Sequence, residues 1–152
     1  MAKVNDLDSL KEVFQSGEYV KFPLNNVILE WPHLYEPDCK FDSVGKFHVN
    51  CIISKSQAED MKYIGFNVKK NVEGQDYVEA KRKPALGRPK VTMEGEDFDP
   101  RSIGNGTVAT VKCSARYMTV TGKKHLPIYM EEVIVEDLVT YDGGGDTAVD
   151  PF

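Results

Sequence analysis

TVATVKCSARYMTV, residues 107–120, is the stretch on which the fold turns. Ala109, Val111, Cys113, Ala115 and Tyr117 fall on one side of an extended chain. Thr110, Lys112, Ser114 and Arg116 fall on the other. A period of two with one apolar face is the mark of a half-buried strand. The polar face carries two cations, so one wall of the sheet is positive. Thr121-Gly122-Lys123-Lys124 follows as a hairpin turn, and His125 to Leu138 returns as a second strand, bulged near residues 130–133.

Upstream, residues 45–54 alternate in the same way. Phe47, Val49, Cys51 and Ile53 interleave with Lys46, His48, Asn50 and Ile52. A helix follows directly. Ser54 with Gln57, or Ser56 with Glu59, has capping-box spacing, and Gly65 ends the helix. Residues 19–22 and 27–31 read as strands broken by Pro23 and Asn25-Asn26. Pro32 and Pro37 bracket a loop that does not suit a central strand. Residues 1–18 are hard to place, but Leu7, Leu10, Val13 and Phe14 lie on a rough helical stripe compatible with one short helix that Gly17 stops. Residues 66–103 hold an alternating piece at 77–80 and then Pro84, Gly87 and Pro89, which make a long loop or arm.

Turn-separated alternating strands with one modest helix give an all-β class. The expected architecture is a small β-barrel of oligonucleotide-binding (OB-fold) type, with one short helix, a long basic loop and a flexible acidic C-terminal tail. Other small β folds satisfy the same pattern. Residues 1–141 form the domain and residues 142–152 the tail.

A chain of 152 residues is one domain by length. No apolar run is long enough to span a bilayer as a helix, and MAKVNDLDSLKEVF lacks the layout of a signal peptide. Cys39, Cys51 and Cys113 read as free thiols of a reducing cytoplasm. Catalytic signals are thin. His33, His48 and His125 are far apart and outside metal-ligand spacing, and no nucleotide or zinc motif is present, so no metal, cofactor or enzymatic activity is expected. Gly104-Asn105-Gly106 precedes a strand, not a helix, and reads as a turn. Glu94, Glu96, Asp97 and Asp99 read as a solvated acidic loop.

The net charge of -5 hides an uneven distribution. Between Lys62 and Lys90 eight cations face three acids, whereas Glu131 to Phe152 carries seven acids and no Lys or Arg. A local positive region suits a polyanion even in an acidic protein. Lys69, Lys70, Lys81, Arg82, Lys83, Arg88, Lys90, Lys112, Arg116, Lys123 and Lys124 are the candidate phosphate contacts. Tyr77, placed between Gly74 and the Lys81-Arg82-Lys83 cluster, is the preferred base-stacking ring. Tyr63, Phe66, Trp31 and Tyr35 are further candidates. After Tyr141 the chain reads DGGGDTAVDPF. Asp142, Asp146, Asp150, Pro151 and Phe152 can occupy a basic groove in place of nucleic acid, or put a ring and a carboxylate into a partner's pocket.

IGNGTVATVKC at 103–113, VIVEDLVTYDGGG at 133–145 and the acidic end closing on Phe152 together resemble the single-stranded DNA-binding proteins of tailed bacteriophages, of the T7 helix-destabilising replication type. The resemblance covers about a third of the chain and implies an oligonucleotide-binding barrel without enzymatic activity. It implies single-stranded DNA as ligand and a role in phage DNA replication, recombination and repair in the cytoplasm of the infected bacterial host. It further implies that the tail regulates DNA binding and recruits replication proteins such as DNA polymerase, and it leaves a homodimer open. The alternative is a phage structural or adaptor protein whose β-barrel core acts through protein–protein contacts.

Overall fold

A computed structural model describes residues 2–38 and 45–140 of the chain. The proposed tail therefore lies outside the described residues, as does Cys39. Within them the chain forms two helices, α1 (Ala2–Phe14) and α2 (Lys55–Ile64), and ten strands. The strands are β1 (Val20–Asp38), β2 (Lys46–Ile52), β3 (Lys69–Lys70), β4 (Asp76–Arg82), β5 (Lys90–Met93), β6 (Glu96–Asp97), β7 (Val108–Ala115), β8 (Met118–Val120), β9 (Lys123–His125) and β10 (Ile128–Asp137). Single 3-10 turns occupy Pro84–Leu86 and Pro100–Ser102.

Eight strands make one mixed sheet in the order β3-β4-β2-β1-β7-β10-β5-β6, and β8 and β9 form a separate hairpin. β4 also pairs with β10, in parallel, through Ile128↔Ala80 and Tyr129↔Lys81. That pairing joins the ends of the path β4–β2–β1–β7–β10, which is the connectivity of the OB fold. The expected closed barrel needs correcting. Only two residue pairs make the β4–β10 seam, and from Glu132 to Val135 the same edge of β10 pairs with β5 instead. The protein is mostly β with an OB-like mixed sheet.

The deciding stretch divides. β7 buries Ala109, Val111, Cys113 and Ala115 as the alternation requires, but the strand stops at Ala115. Residues 118–125 fold back as the β8–β9 hairpin, with Val120 opposite Lys123. Thr121 and Gly122 both take positive φ, 49° and 81°, the geometry of a two-residue turn that matches strand twist. The expected bulge in β10 is present as a register shift between Met130 and Glu132.

α2 begins at a complete capping box. Ser54 Oγ accepts the Gln57 N–H at 3.1 Å, and Gln57 Oε1 accepts the Ser54 N–H at 2.8 Å. It stops at Gly65, whose φ of 123° a side chain would strain. Instead of one helix there are two. The Leu7–Phe14 stripe folds because Phe14 is buried edge-on against Phe22 and Phe66, with ring centroids at 5.2 Å in both cases. The expected long loop is also corrected. Residues 69–97 contain four short strands, because β4 buries Val78 and Ala80 and pairs with β2 from Tyr77 to Arg82, while two-residue β3 pairs with β4 and two-residue β6 with β5. The proline segment is corrected too. Pro32 lies inside β1, at the register shift between Glu30 and His33, where the ladder does not call on its missing N–H.

The core runs along the inside of the curled sheet. Leu29, Val49, Val111, Met130 and Val133 are fully buried, each contributing about 1.5–3 kcal/mol. Thr107 locks the end of the sheet. Its Oγ1 donates to the Val139 carbonyl at 3.0 Å and accepts the Val139 N–H at 2.9 Å.

Candidate nucleic-acid interface

Alternation on β2 and β4 puts half of their side chains outside. With Phe47, Val49, Cys51, Val78 and Ala80 buried, the outward set is Lys46, His48, Asn50, Tyr77, Glu79 and Lys81. Register places His48 beside Lys81, Asn50 beside Glu79 and Ile52 beside Tyr77. His33 of β1 joins this face. Its ring stacks on His48 with centroids 4.8 Å apart. Glu79 is shared, with Lys46 Nζ at 3.1 Å and His48 Nδ1 at 3.4 Å from the same oxygen. Glu30, the register partner of Asn50, is a second carboxylate on this face, so the positive charge is concentrated at the Lys46 and Lys81 end and not spread over the whole face.

The β8–β9 hairpin stands beside this face. A groove of about 470 Å³ lies between them, lined by Lys69, Glu79, Lys81, Lys124, His125 and Pro127 among others. Three lysines from three separate segments therefore converge on one groove. That is the arrangement a phosphate backbone needs.

The eleven candidate cations do not form one patch. Lys69, Lys81 and Lys124 share the groove, and Lys123 is exposed beside it on the hairpin. Lys70 is committed to its own hairpin by an ion pair with Asp76 at 2.9 Å, and that bond holds the Asp76 carboxyl below its ordinary range. Arg82 donates to the carbonyls of Gly87 at 2.8 Å, Leu86 at 3.0 Å and Met130 at 3.2 Å, so its guanidinium pins the Pro84–Leu86 turn to the sheet. Lys83 is exposed and, with Arg82, lines a second groove. Arg88 lies 3.6 Å over the ring of Tyr35 and donates to the Tyr35 carbonyl at 2.7 Å. Lys90 is exposed at the start of β5. Lys112 is exposed on β7, in register with Pro23 and Glu132. Arg116 donates to the Gly17 carbonyl at 3.0 Å.

The aromatic candidates separate as sharply. Tyr77 is half-buried on the outward face, next to Lys69 in register. Trp31 is 60% exposed at the β1 bulge, directly after Glu30, which is the register partner of Asn50. Tyr35 already carries Arg88, and Arg101 lies 4.6 Å from the same ring. Arg101 is itself anchored by Asp99, whose pKa this hydrogen bond lowers to about 2. Tyr63 hydrogen-bonds Asp8 and lies under Lys11, which joins α2 to α1. Phe66 is corrected. At 6% exposure it is a core residue packed against Phe14 and Phe22, and it contributes to the groove only as part of its lining.

Sequence reasoning missed Lys46, His33 and His48 as members of the face. The signal was present, because the alternation that buries Phe47 and Val49 sends their neighbours outward. It also missed Tyr19, Lys21 and Tyr129, which meet only through β1–β7–β10 pairing. Among the described residues no group of three or more His, Cys, Asp or Glu side chains could hold a metal ion, so the acids at 94–99 do not converge. None of the described helices is long and apolar enough to cross a membrane.

No protein-family model and no curated protein sequence matches the chain. Solved structures do. The single-stranded DNA-binding protein from bacteriophage Enc34 in complex with single-stranded DNA superposes with a TM-score of 0.59 at 16% identity, over 81% of this chain and 88% of that one. A second structure of the same phage protein gives 0.58 at 16% identity, covering 88% of each chain. The single-stranded DNA-binding protein encoded by bacteriophage T7 gives 0.59 at 15% identity, over 84% of this chain and 92% of that one. At such identities the likeness is one of architecture, and the chain shares the fold of these phage proteins.

Proposed function

We propose that the protein binds single-stranded DNA non-enzymatically and with little sequence preference, in phage DNA replication, recombination and repair. The observation that carries this reading is the groove in which Lys69, Lys81 and Lys124 converge on the outward β2–β4 face, beside the β8–β9 hairpin. In OB folds that face and its flanking loops take oligonucleotides. The proteins whose fold it shares are described as single-stranded DNA-binding, one of them solved with the strand bound. Tyr77 and Trp31 supply rings for bases, and the lysines neutralise phosphates. Residues 142–152, with Asp142, Asp146, Asp150, Pro151 and Phe152, compete for the groove and recruit replication proteins such as a DNA polymerase. The site of action is the cytoplasm of an infected bacterium.

Fluorescence anisotropy with labelled single and double strands across a salt series tests the reading. Single strands bind tightly at low salt, duplex much more weakly. Affinity falls linearly with log salt, and Lys81→Ala and Lys124→Ala each reduce the slope by about 0.7. Lys70→Ala leaves the slope unchanged, since Lys70 is paired with Asp76. Equal affinity for duplex, or no binding at low salt, overturns the proposal.

A further inference from the structure

The outward row does not end at the groove. His33 pairs with His48, His48 with Lys81, Lys81 with Tyr129, Tyr129 with Ser114 and Ser114 with Lys21. These registrations run from β1 around the curled sheet and back to β1. Lys81 and Tyr129 face out by alternation, Lys81 following buried Ala80 and Tyr129 lying between buried Ile128 and Met130, whereas Ser114 is itself buried and lines the groove that follows.

Beyond the β4–β10 seam the row opens into a second groove of about 440 Å³, lined by Tyr19, Lys21, Lys83, Leu86 and Tyr129 among others. Tyr19 is 63% exposed, and its ring lies 6.3 Å from that of Tyr129 with the planes at 53°. Arg116 sits 5.4 Å over Tyr19. The groove thus presents two tilted rings with Lys21 and Lys83 in its lining and Arg116 over Tyr19, against one lining acid, Glu131. Flat aromatic bases on an anionic backbone match that chemistry. The two grooves are neighbours across the seam. Lys81 and Ile128 line the first, and the next residue of each strand, Arg82 and Tyr129, lines the second.

We infer that the Tyr19–Tyr129 groove is a second base-binding subsite for the same single strand, which crosses the sheet at Lys81 and Tyr129 and follows the curled sheet around instead of lying on one face. The inference rests on the reading of the first groove as the DNA site. A strand that follows the curled sheet around engages Tyr19 and Tyr129 only when it is long enough to pass the seam, so the subsite reveals itself as a dependence on length.

The test is anisotropy with oligonucleotides of about 5 and about 15 nucleotides, lengths that bracket the sites of OB folds. The wild type binds the longer strand more tightly. The double variant Tyr19→Ala/Tyr129→Ala binds the short strand as the wild type does and the long strand about tenfold more weakly, the loss expected for removing a stacking contact. Lys81→Ala weakens both lengths. Tyr19→Phe/Tyr129→Phe, which keeps the rings, restores tight binding of the long strand, and equal urea midpoints for the two double variants exclude misfolding as the cause. A length dependence that the alanine double variant retains overturns the subsite alone, and the groove is then left to a protein partner. A wild type that binds neither length overturns the reading of the first groove as well.

Discussion

Asn105 Oδ1 accepts the backbone N–H of Trp31 at 2.7 Å across 74 positions of sequence. Trp31 has a φ of 52°, which is uncommon for any residue with a side chain and rarer for a bulky one. Such a conformation costs about 1–3 kcal/mol and persists where surrounding bonds over-determine it. Gly106 and Leu29 supply further bonds, the Gly106 N–H donating to Leu29 O at 2.9 Å and the Leu29 N–H to Thr107 O at 2.8 Å. The glycine-bearing turn is therefore a clamp that holds an exposed indole at the edge of the candidate DNA face.

Trp31 is the only tryptophan in the chain, so its fluorescence reports on that site alone. Addition of single-stranded oligonucleotide is expected to quench it. Asn105→Ala should lower stability by about 1 kcal/mol, the worth of one hydrogen bond. It should also weaken DNA binding, since the released indole no longer stands ready at the edge of the face. Emission unchanged by saturating oligonucleotide would remove Trp31 from the interface.

Arg82 and Lys83 are adjacent in sequence but do different work. Arg82 serves three carbonyls, while Lys83 is exposed. Arg82→Ala is expected to destabilise the fold by about 2 kcal/mol, visible as a lower urea midpoint. Arg82→Lys should not rescue it, because a compact ammonium cannot reproduce a planar fork across three acceptors. Lys83→Ala should leave the midpoint within about 0.5 kcal/mol and reduce the salt dependence of DNA binding. A stable Arg82→Ala protein would contradict the anchoring role.

That contrast marks the limit of what the residues alone disclosed. Alternation at 47–53 and 109–115, the capping box at Ser54, the Thr121-Gly122 turn and the bulge near Met130 were all legible, because each depends on neighbours in sequence. β3 and β6, two residues each, were not, since they exist only through pairing with β4 and β5. The proline-bearing part of β1 was hidden because its bulges relieve the ladder where prolines stand. The site was half legible. Charge counting found the lysines but could not tell that Lys69, Lys81 and Lys124 meet, that Arg82 and Arg88 are committed to carbonyls, or that Tyr19 and Tyr129 share a groove. Those facts belong to register.

Removal of residues 142–152 deletes three aspartates and transfers the terminal carboxylate to Tyr141. If the tail competes for the lysine groove, the truncated protein binds single strands more tightly. The gain should be largest at low salt, where exposed charges are least screened. Unchanged affinity across the salt series would exclude competition and leave the tail a partner-recruiting role only.

The core predicts alkaline behaviour that owes nothing to DNA. Cys51 is fully buried in β2, and burial pushes its thiol from 9.0 up to about 12. Between those values the unfolded chain releases the proton that the folded protein keeps. The folded state then binds more protons, so stability falls as pH rises through this window. One thiol contributes a slope of about 1.4 kcal/mol per pH unit. Cys113 is raised by the same cause and adds in the same direction, as do the weaker upward shifts of Tyr63 and Tyr129. Cys51→Ala is expected to start from a lower stability at pH 8, because a small cavity replaces the sulfur. It should then lose stability more slowly than the wild type between pH 9 and about 11, so the two urea-midpoint profiles converge. Parallel profiles would mean that Cys51 ionises in the folded protein as freely as in the unfolded one, which a thiol with no exposed surface in a closed core cannot do.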